Sequence, residues 1–397
     1  MMEQKTGKNI LLPEWILCLF ERLEEAGEEV YLVGGSLRDR LLGLSPNDYD
    51  LATSALPEKT QKIFSEKRVI ATGIQHGTLT VLVENEPVEI TTFRVDGTYS
   101  DSRHPDQVTF TRRIEEDLSR RDFTVNAMAY HPKVGLVDPF GGRKDLERKI
   151  LRAVGDPSLR FREDALRILR AFRFSAQLGF EIEEKTLEGC IQSKSGLTKV
   201  AKERISAEFL RLLLSSDPMP SLERMIQTEI LSFVTENYIP TKTLLDKIRK
   251  MPVTDTARLG LFFSECEAEQ TKNLLKMLKY SNHQIAGAVA VAEGARRKIS
   301  SLADARKLIA AYGNEAENAC YASVLLENSP VEALEWVREN TAPTKISDLL
   351  LTGNDLLALG LRGPKIGEML NTLLERVMED PSLNEREKLT ELVKKYL

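Results

Sequence analysis

Residues 33–53 read VGGSLRDRLLGLSPNDYDLAT. Val30, Tyr31, Leu32 and Val33 lead into the stretch as β-formers, so it begins as a strand. Gly34 and Gly35 allow a sharp turn and a close backbone approach. Ser36 has N-cap chemistry, and Leu37, Leu41, Leu42 and Leu44 fall at helical spacing, which predicts a short helix. A helix N-terminus beside glycines offers free N–H groups to an anion such as a phosphate. Asp48 and Asp50 then stand two apart in a second strand, so both side chains are expected on one face. Two carboxylates side by side repel unless a cation lies between them, and an all-oxygen pair suits a hard cation, Mg²⁺ first. Diglycine turns and solvated D-x-D pairs are each common, so it is the order strand, GGS, helix, D-x-D that gives direction.

The totals bound the reading. At 397 residues the chain is too long for one ordinary core, and about two to four domains are expected. An apolar fraction of 42% and a charged fraction of 29% describe a soluble globular protein. No apolar run approaches the roughly 18 residues of a membrane span, so a cytoplasmic protein without signal peptide or membrane contact is expected. Cys18, Cys190, Cys266 and Cys320 lack metal spacing and read as buried thiols in a reducing compartment. None of His76, His104, His131 and His283 is followed by Asp, which speaks against a His-Asp metal hydrolase. The net charge of −5 hides a basic concentration: residues 143–173 carry ten Arg/Lys against five Asp/Glu, which permits a phosphate-rich partner.

Along the chain, residues 14–27 read as a helix, and short strands and helices alternate to about 140. GTLTVLV (77–83) and PVEITTF (87–93) read as a hairpin around Glu84, Asn85 and Glu86. Residues 94–107, RVDGTYSDSRHPDQ, are polar and aperiodic, a long loop of the kind that carries function. VTFTR returns as a strand, and SRRDFTVNAMAYH reads as the start of a helix. After about 150, leucine-rich helices dominate. The expected class is α+β: a mixed-sheet head followed by an all-α remainder.

Four further groups carry chemistry. Glu89, on the strand VEITTF, is either an edge-strand surface residue or a third metal-directed carboxylate. In RRDFTVN, Asp122 has helix-cap chemistry, whereas Arg121 and Asn126 lack a structural need and suit triphosphate and ribose contacts. Asp164 and Arg167 stand i,i+3 in RFREDALRILRAFRFSAQLGF, read as one continuous helix. They form either a salt bridge or an acceptor–donor pair matching the Watson–Crick edges of cytosine and adenine; guanine and uracil present the opposite order. Lys202–Glu208 opens a further helix that reads as a brace for its neighbour.

VGGSLRD…DYD, RRDFTVNAMA, DPFGGRKDL, EDALRILRAFRF and KERISAE, in this order, resemble the motifs of class II bacterial tRNA nucleotidyltransferases, the CCA-adding enzymes, relatives of DNA polymerase β. LTGNDLLALGLRGPKIGEML resembles a tail segment of the same enzymes. The resemblance implies a polymerase-β-like catalytic head over 1–149, a base-recognising helical neck over 150–222, a body over 223–305 and a tRNA-binding tail over 306–397. It implies that Asp48 and Asp50 bind two Mg²⁺ ions, with Glu89 beside them in the catalytic set. Gly34, Gly35, Ser36, Arg38 and Arg121 would cradle phosphates, and Asp122 and Asn126 would sense the ribose. Asp164 and Arg167, with Arg170 and Arg173 nearby, would read CTP and then ATP; Glu163, Glu203, Arg204 and Glu208 would support the site. The partners would be tRNA, CTP and ATP, in a monomer or homodimer, with residues 94–107 moving the site from C to A addition. Poly(A) polymerases share the head but commonly extend further with a basic segment; the ending EREKLTELVKKYL and the run TGIQHGTLTV fit CCA addition better. A-only and CC-only enzymes, and an inactive tRNA-binding protein, remain as alternatives.

Overall fold

The computed structural model describes residues 10–46, 48–97 and 108–397. Most of the loop expected at 94–107 therefore lies outside the described residues. The chain forms two compact units. One runs to Ile205 and takes back Gln227–Phe233, and the other comprises Ser206–Ile226 and Val234–Leu397.

In chain order the first unit contains α1 (Glu14–Glu25), β1 (Val30–Val33), α2 (Gly34–Leu41), β2 (Tyr49–Thr53), α3 (Pro57–Ile63), β3 (Val69–Gly73), β4 (Thr78–Val83) and β5 (Glu86–Thr92). Then come β6 (Arg94–Asp96), β7 (Val108–Phe110), α4 (Ile114–Ser119), β8 (Ala129–His131) and β9 (Gly135–Val137). Seven described strands make one mixed sheet in the order β3-β4-β5-β2-β1-β8-β9, in which β2 and β5 run parallel. The β4–β5 hairpin closes through Glu84 and Asn85, at φ 52° and 70°. That is the doubly left-handed turn whose twist matches its strands.

Strand alternation divides the sheet into two faces. On one, Leu79, Val81, Val88 and Ile90 are buried, as are Ile16, Leu19 and Leu23 of α1. On the other, Tyr31, Val33, Ala52 and Ala129 pack with Ile114 and Leu118 of α4. That second face continues across β2, β5 and β4 as Asp50, Glu89, Thr91 and Thr78. It is apolar where α4 covers it and polar where it is open.

Helices α5 (Gly142–Arg148), α6 (Pro157–Glu163), α7 (Leu166–Leu178), α8 (Glu184–Ser193) and α9 (Lys202–Leu213) follow. Helices α10 (Met219–Gln227), α11 (Ile230–Val234), α12 (Lys242–Ile248) and α13 (Asp255–Phe262) come next, and the described remainder has no strand. Two of its apolar clusters centre on Leu308, Ala319 and Cys320, and on Leu356, Leu373 and Leu389. Among the described residues no helix is long and apolar enough to cross a membrane.

Five local expectations change. Helix α2 starts at Gly34, so Ser36 lies within its first turn instead of capping it. Residues 124–131 form a single 3₁₀ turn and then β8, not a helix, because Ala129 pairs with Val33. Residues 94–96, at the head of the expected loop, form β6 and pair with β7. The helix expected through EDALR breaks at Asp164, whose backbone is extended at φ −142° and ψ 104°. Cys18 is exposed, whereas the other three cysteines are buried.

Candidate active site

The first residues of α2 are packed onto β2. Gly34 has φ +67°, and a Cβ there would lie 3.1 Å from Asp50 Oδ2 and 3.3 Å from Arg121 Nη1. Only glycine gives this turn and leaves room for both charges. Ser36 Oγ donates to the Val33 carbonyl at 2.8 Å and accepts from the Asp50 N–H at 3.3 Å, tying β1 to β2.

These groups border a cleft of about 520 Å³. At one end stand Asp48, Asp50 and Glu89. Asp48 is exposed and immediately precedes β2, rather than lying in it as expected. Asp50 and Glu89 are direct neighbours on parallel strands. Burial, and then the charges of Asp48 and Glu89, push the Asp50 carboxyl up to about 6, against the pull of Arg121 and Arg38. Beside them Thr78 and Thr91 share a 3.0 Å hydrogen bond.

The middle of the cleft is a relay. Arg38 Nη1 donates to Asn126 Oδ1 at 2.8 Å, and Asn126 Nδ2 donates to Asp122 Oδ1 at 3.2 Å. Arg170 Nε donates to Asp122 Oδ2 at 2.7 Å. Burial would raise the Asp122 carboxyl, but Arg170, Arg167 and Asn126 hold it at about 2. Asp122 also accepts from the Phe123 N–H at 2.8 Å; no α-helix follows for it to cap. The Phe174 ring, on the cleft wall, has the Arg38 and Arg170 guanidiniums each 5.2 Å from its centroid.

At the far end are Asp164 and Arg167, whose side chains take separate partners, although the Arg167 N–H donates to the Asp164 carbonyl at 3.0 Å. Asp164 Oδ1 accepts from the Leu166 N–H at 3.0 Å, and its Oδ2 accepts from Arg204 Nη2 at 2.8 Å. Arg167 is held by Glu163 at 2.7 Å and by the carbonyls of Arg160 at 3.3 Å and Arg120 at 3.1 Å. Glu163 also accepts from Arg160 at 2.9 Å.

The cleft thus brings together Gly34, Gly35, Arg38, Asp48, Asp50, Glu89, Arg121, Asp122, Asn126, Asp164, Arg167, Arg170 and Arg204. Ser36, Arg173, Glu163, Glu203 and Glu208 do not line it; Arg173 stacks 3.9 Å from the Phe174 centroid. Arg94, Arg120 and Phe174 also line it, outside the expected site residues. Arg120 carried a signal as the first of the paired arginines of RRDFTVN, and Phe174 follows Arg170 by one helical turn. Seven arginines face five carboxylates in the lining, so the cleft is cationic although the chain is not. Arg121 Nε and Arg204 Nη1 are buried without an acceptor among the described residues. A cationic cleft with unspent donors and a carboxylate group at one end fits a polyanion bound with a cation.

This sheet, its glycine turn and its carboxylates define a nucleotidyltransferase head. The poly A polymerase head domain family matches residues 30–152. The family described as probable RNA and SrmB-binding site of polymerase A matches 179–238, and tRNA nucleotidyltransferase domain 2 matches 254–393. The chain is 35% identical to the CCA-adding enzyme of Leuconostoc mesenteroides over 396 residues, covering 96% of this chain and 95% of that one. It is 37% identical to that of Ligilactobacillus salivarius, covering 96% of each. The chain belongs to the CCA-adding enzyme family of tRNA nucleotidyltransferases. Its fold matches the Bacillus stearothermophilus CCA-adding enzyme in complex with CTP, with a TM-score of 0.82, 28% identity, and 96% and 98% of the two chains covered. The Thermotoga maritima CCA-adding enzyme complexed with tRNA shares the fold, with a TM-score of 0.70, 23% identity and 97% of each chain covered.

Proposed function

We propose that this enzyme adds C, C and A to the 3′ end of tRNA from CTP and ATP without a nucleic-acid template, releasing pyrophosphate, in the cytoplasm. The observation that carries the reading is one cleft with carboxylates at one end, arginines along it and the separately held Asp164 and Arg167 at the other. A nucleoside triphosphate has the same order: cation-bound phosphates, ribose, base.

Asp48 and Asp50 would hold Mg²⁺, with Glu89 beside them. The donor set fits: it is all oxygen, and the raised Asp50 carboxyl marks negative charge awaiting a counter-ion. Among the described residues no three such side chains cluster as a metal site by themselves, so a bound ion would take its remaining ligands from water and substrate phosphates. Two bound Mg²⁺ ions would stabilise the attacking 3′-oxygen and the leaving pyrophosphate. The N-terminus of α2, Arg38 and Arg121 bind and orient the phosphates. Asp122, fixed as a carboxylate, and Asn126 meet the ribose hydroxyls. Asp164 accepts from the amino group of cytosine or adenine, and Arg167 donates to the adjacent ring nitrogen. The neck would be residues 150–222, and the body and tail, 223–305 and 306–397, would grip the tRNA.

The test is incubation with tRNA lacking its 3′ CCA, with labelled CTP and ATP, resolved to single nucleotides. Three ordered additions are expected, with none from UTP or GTP. Two C additions without A, A addition only to tRNA ending in CC, or a long A tract would each replace the proposal with a narrower or different transferase. Asp48→Ala and Asp50→Ala should each abolish addition while tRNA binding survives.

A further inference from the structure

Asp117 lies outside the cleft lining and is 0% exposed. A sealed carboxylate costs several kcal/mol unless it is paired. Its partners are the two adjacent arginines of the cleft wall. Oδ1 accepts from Arg120 Nε at 3.0 Å and Nη2 at 2.8 Å, and Oδ2 accepts from Arg121 Nη2 at 3.2 Å. Both arginine side chains keep 16–17% exposure while Asp117 has none. Oδ1 also accepts from the backbone N–H of Arg94, the first residue of β6, at 3.3 Å.

The two arginines reach opposite ends of the site. Arg121 Nη1 lies beside Gly34 and Asp50, at the phosphate end. The Arg120 carbonyl accepts from Arg167 Nη2, at the base end. Burial alone would raise the Asp117 carboxyl, yet Arg120 and Arg121 draw it below the usual range, so it remains an anion.

We infer that Asp117 is a positioning residue for nucleotide addition: it aims Arg121 at the incoming triphosphate and, by holding Arg120, steadies the carbonyl on which Arg167 rests. The inference rests on the proposed CTP and ATP site. Its chemistry is that of an anchored guanidinium, because a planar fork fixed on one side presents its remaining N–H groups in a set direction. Without the anchor the arginines keep their charge and lose their aim.

The experiment compares Asp117→Asn with wild type. The KM for CTP and ATP should rise about tenfold or more, as misplaced binding groups do. The KM for tRNA should stay within about twofold, since the proposed grip on tRNA rests chiefly on the body and tail. In an Arg121→Ala background, Asp117→Asn should add little further to the KM, because the group it aims is gone. Unchanged nucleotide KM, independent multiplication of the two effects, or equal loss of nucleotide and tRNA affinity with a collapsed Tm would overturn the inference. If Asp117→Asn does not fold, Arg120→Lys and Arg121→Lys decide it. Each keeps the cation and loses the fork, and wild-type KM values would again overturn it. Calorimetric binding of inorganic tripolyphosphate separates this inference from the function. Weaker binding by Asp117→Asn beside a wild type that adds no nucleotide would sink the function and leave the positioning role standing.

Discussion

Asp50 on β2 stands in register with Glu89 on the parallel strand β5, with Asp48 on the same cleft. Such crowding makes the site unfavourable for stability when no cation is bound. Burial and the two neighbouring charges raise Asp50 from its ordinary 3.8 to about 6. The folded state therefore favours the neutral acid. Ionising Asp50 penalises the fold, beginning as the pH rises above about 4 and reaching its full size above about 6. In chelator at pH 8, Asp50→Asn should melt several degrees above wild type, and the gap should close by pH 4. Mg²⁺ should restore the wild type at pH 8 and do little for the variant. Thermal scans across pH check this, and a gap that is constant with pH would contradict it.

Gly34 carries two burdens that can be separated. Its φ of +67° costs any other residue roughly 1–2 kcal/mol, and a side chain would also press on Asp50 and Arg121. Gly27 has φ +79° with nothing within 4 Å of the same position. Gly34→Ala and Gly27→Ala should therefore lose similar stability. Only Gly34→Ala should lose activity, by about a hundredfold, because displacing reacting groups by about 1 Å has that effect. Paired Tm and nucleotide-incorporation measurements separate the two burdens.

Arg258 is 1% exposed in α13 and donates to backbone carbonyls, those of Leu213 at 2.8 Å and Met251 at 3.0 Å foremost. These carbonyls lie at or just beyond the C-termini of α9 and α12, where unpaired acceptors and the helix dipole favour a cation. Arg258→Met keeps much of the volume and strands the acceptors. The expected loss is on the order of 3 kcal/mol, visible in urea melts, with the KM for CTP unchanged in protein that remains folded.

The strand–GGS–helix–D-x-D order was legible because period-2 and period-3.6 patterns change over within twenty residues, and glycine marks the join. Other features were hidden for physical reasons. Asp117 sits in RRIEEDLSRR, where a charge run reads as solvated surface; only the packing of α4 on the sheet shows its burial. Phe123, Val125, Ala127 and Met128 are all buried, so FTVNAM carries no face from which to tell turn and strand from helix. The helical spacing of EDALRILR runs straight across a break. That break depends on the Asp164 carboxylate taking the Leu166 N–H and on an arginine 40 residues away.

That arginine, Arg204, yields the last prediction. Helical spacing pairs Asp164 with Arg167, yet the structure pairs Asp164 with Arg204 and Arg167 with Glu163. In double-mutant cycles read on stability, Asp164 and Arg204 should couple by about 0.5–3 kcal/mol, and Asp164 and Arg167 by less than about 0.5. The pattern should reverse for selectivity. Asp164→Ala and Arg167→Ala each remove a partner of the base edge and should each cost on the order of 1–3 kcal/mol of discrimination against UTP and GTP. Arg204→Ala leaves Asp164 in place but lets its carboxylate turn, so the KM for both CTP and ATP should rise while UTP and GTP gain ground less than in Asp164→Ala. Single-turnover incorporation of all four nucleotides, measured alongside Tm, distinguishes these outcomes. Strong stability coupling between Asp164 and Arg167 would mean that the two form an ordinary helix salt bridge and that the base is read elsewhere.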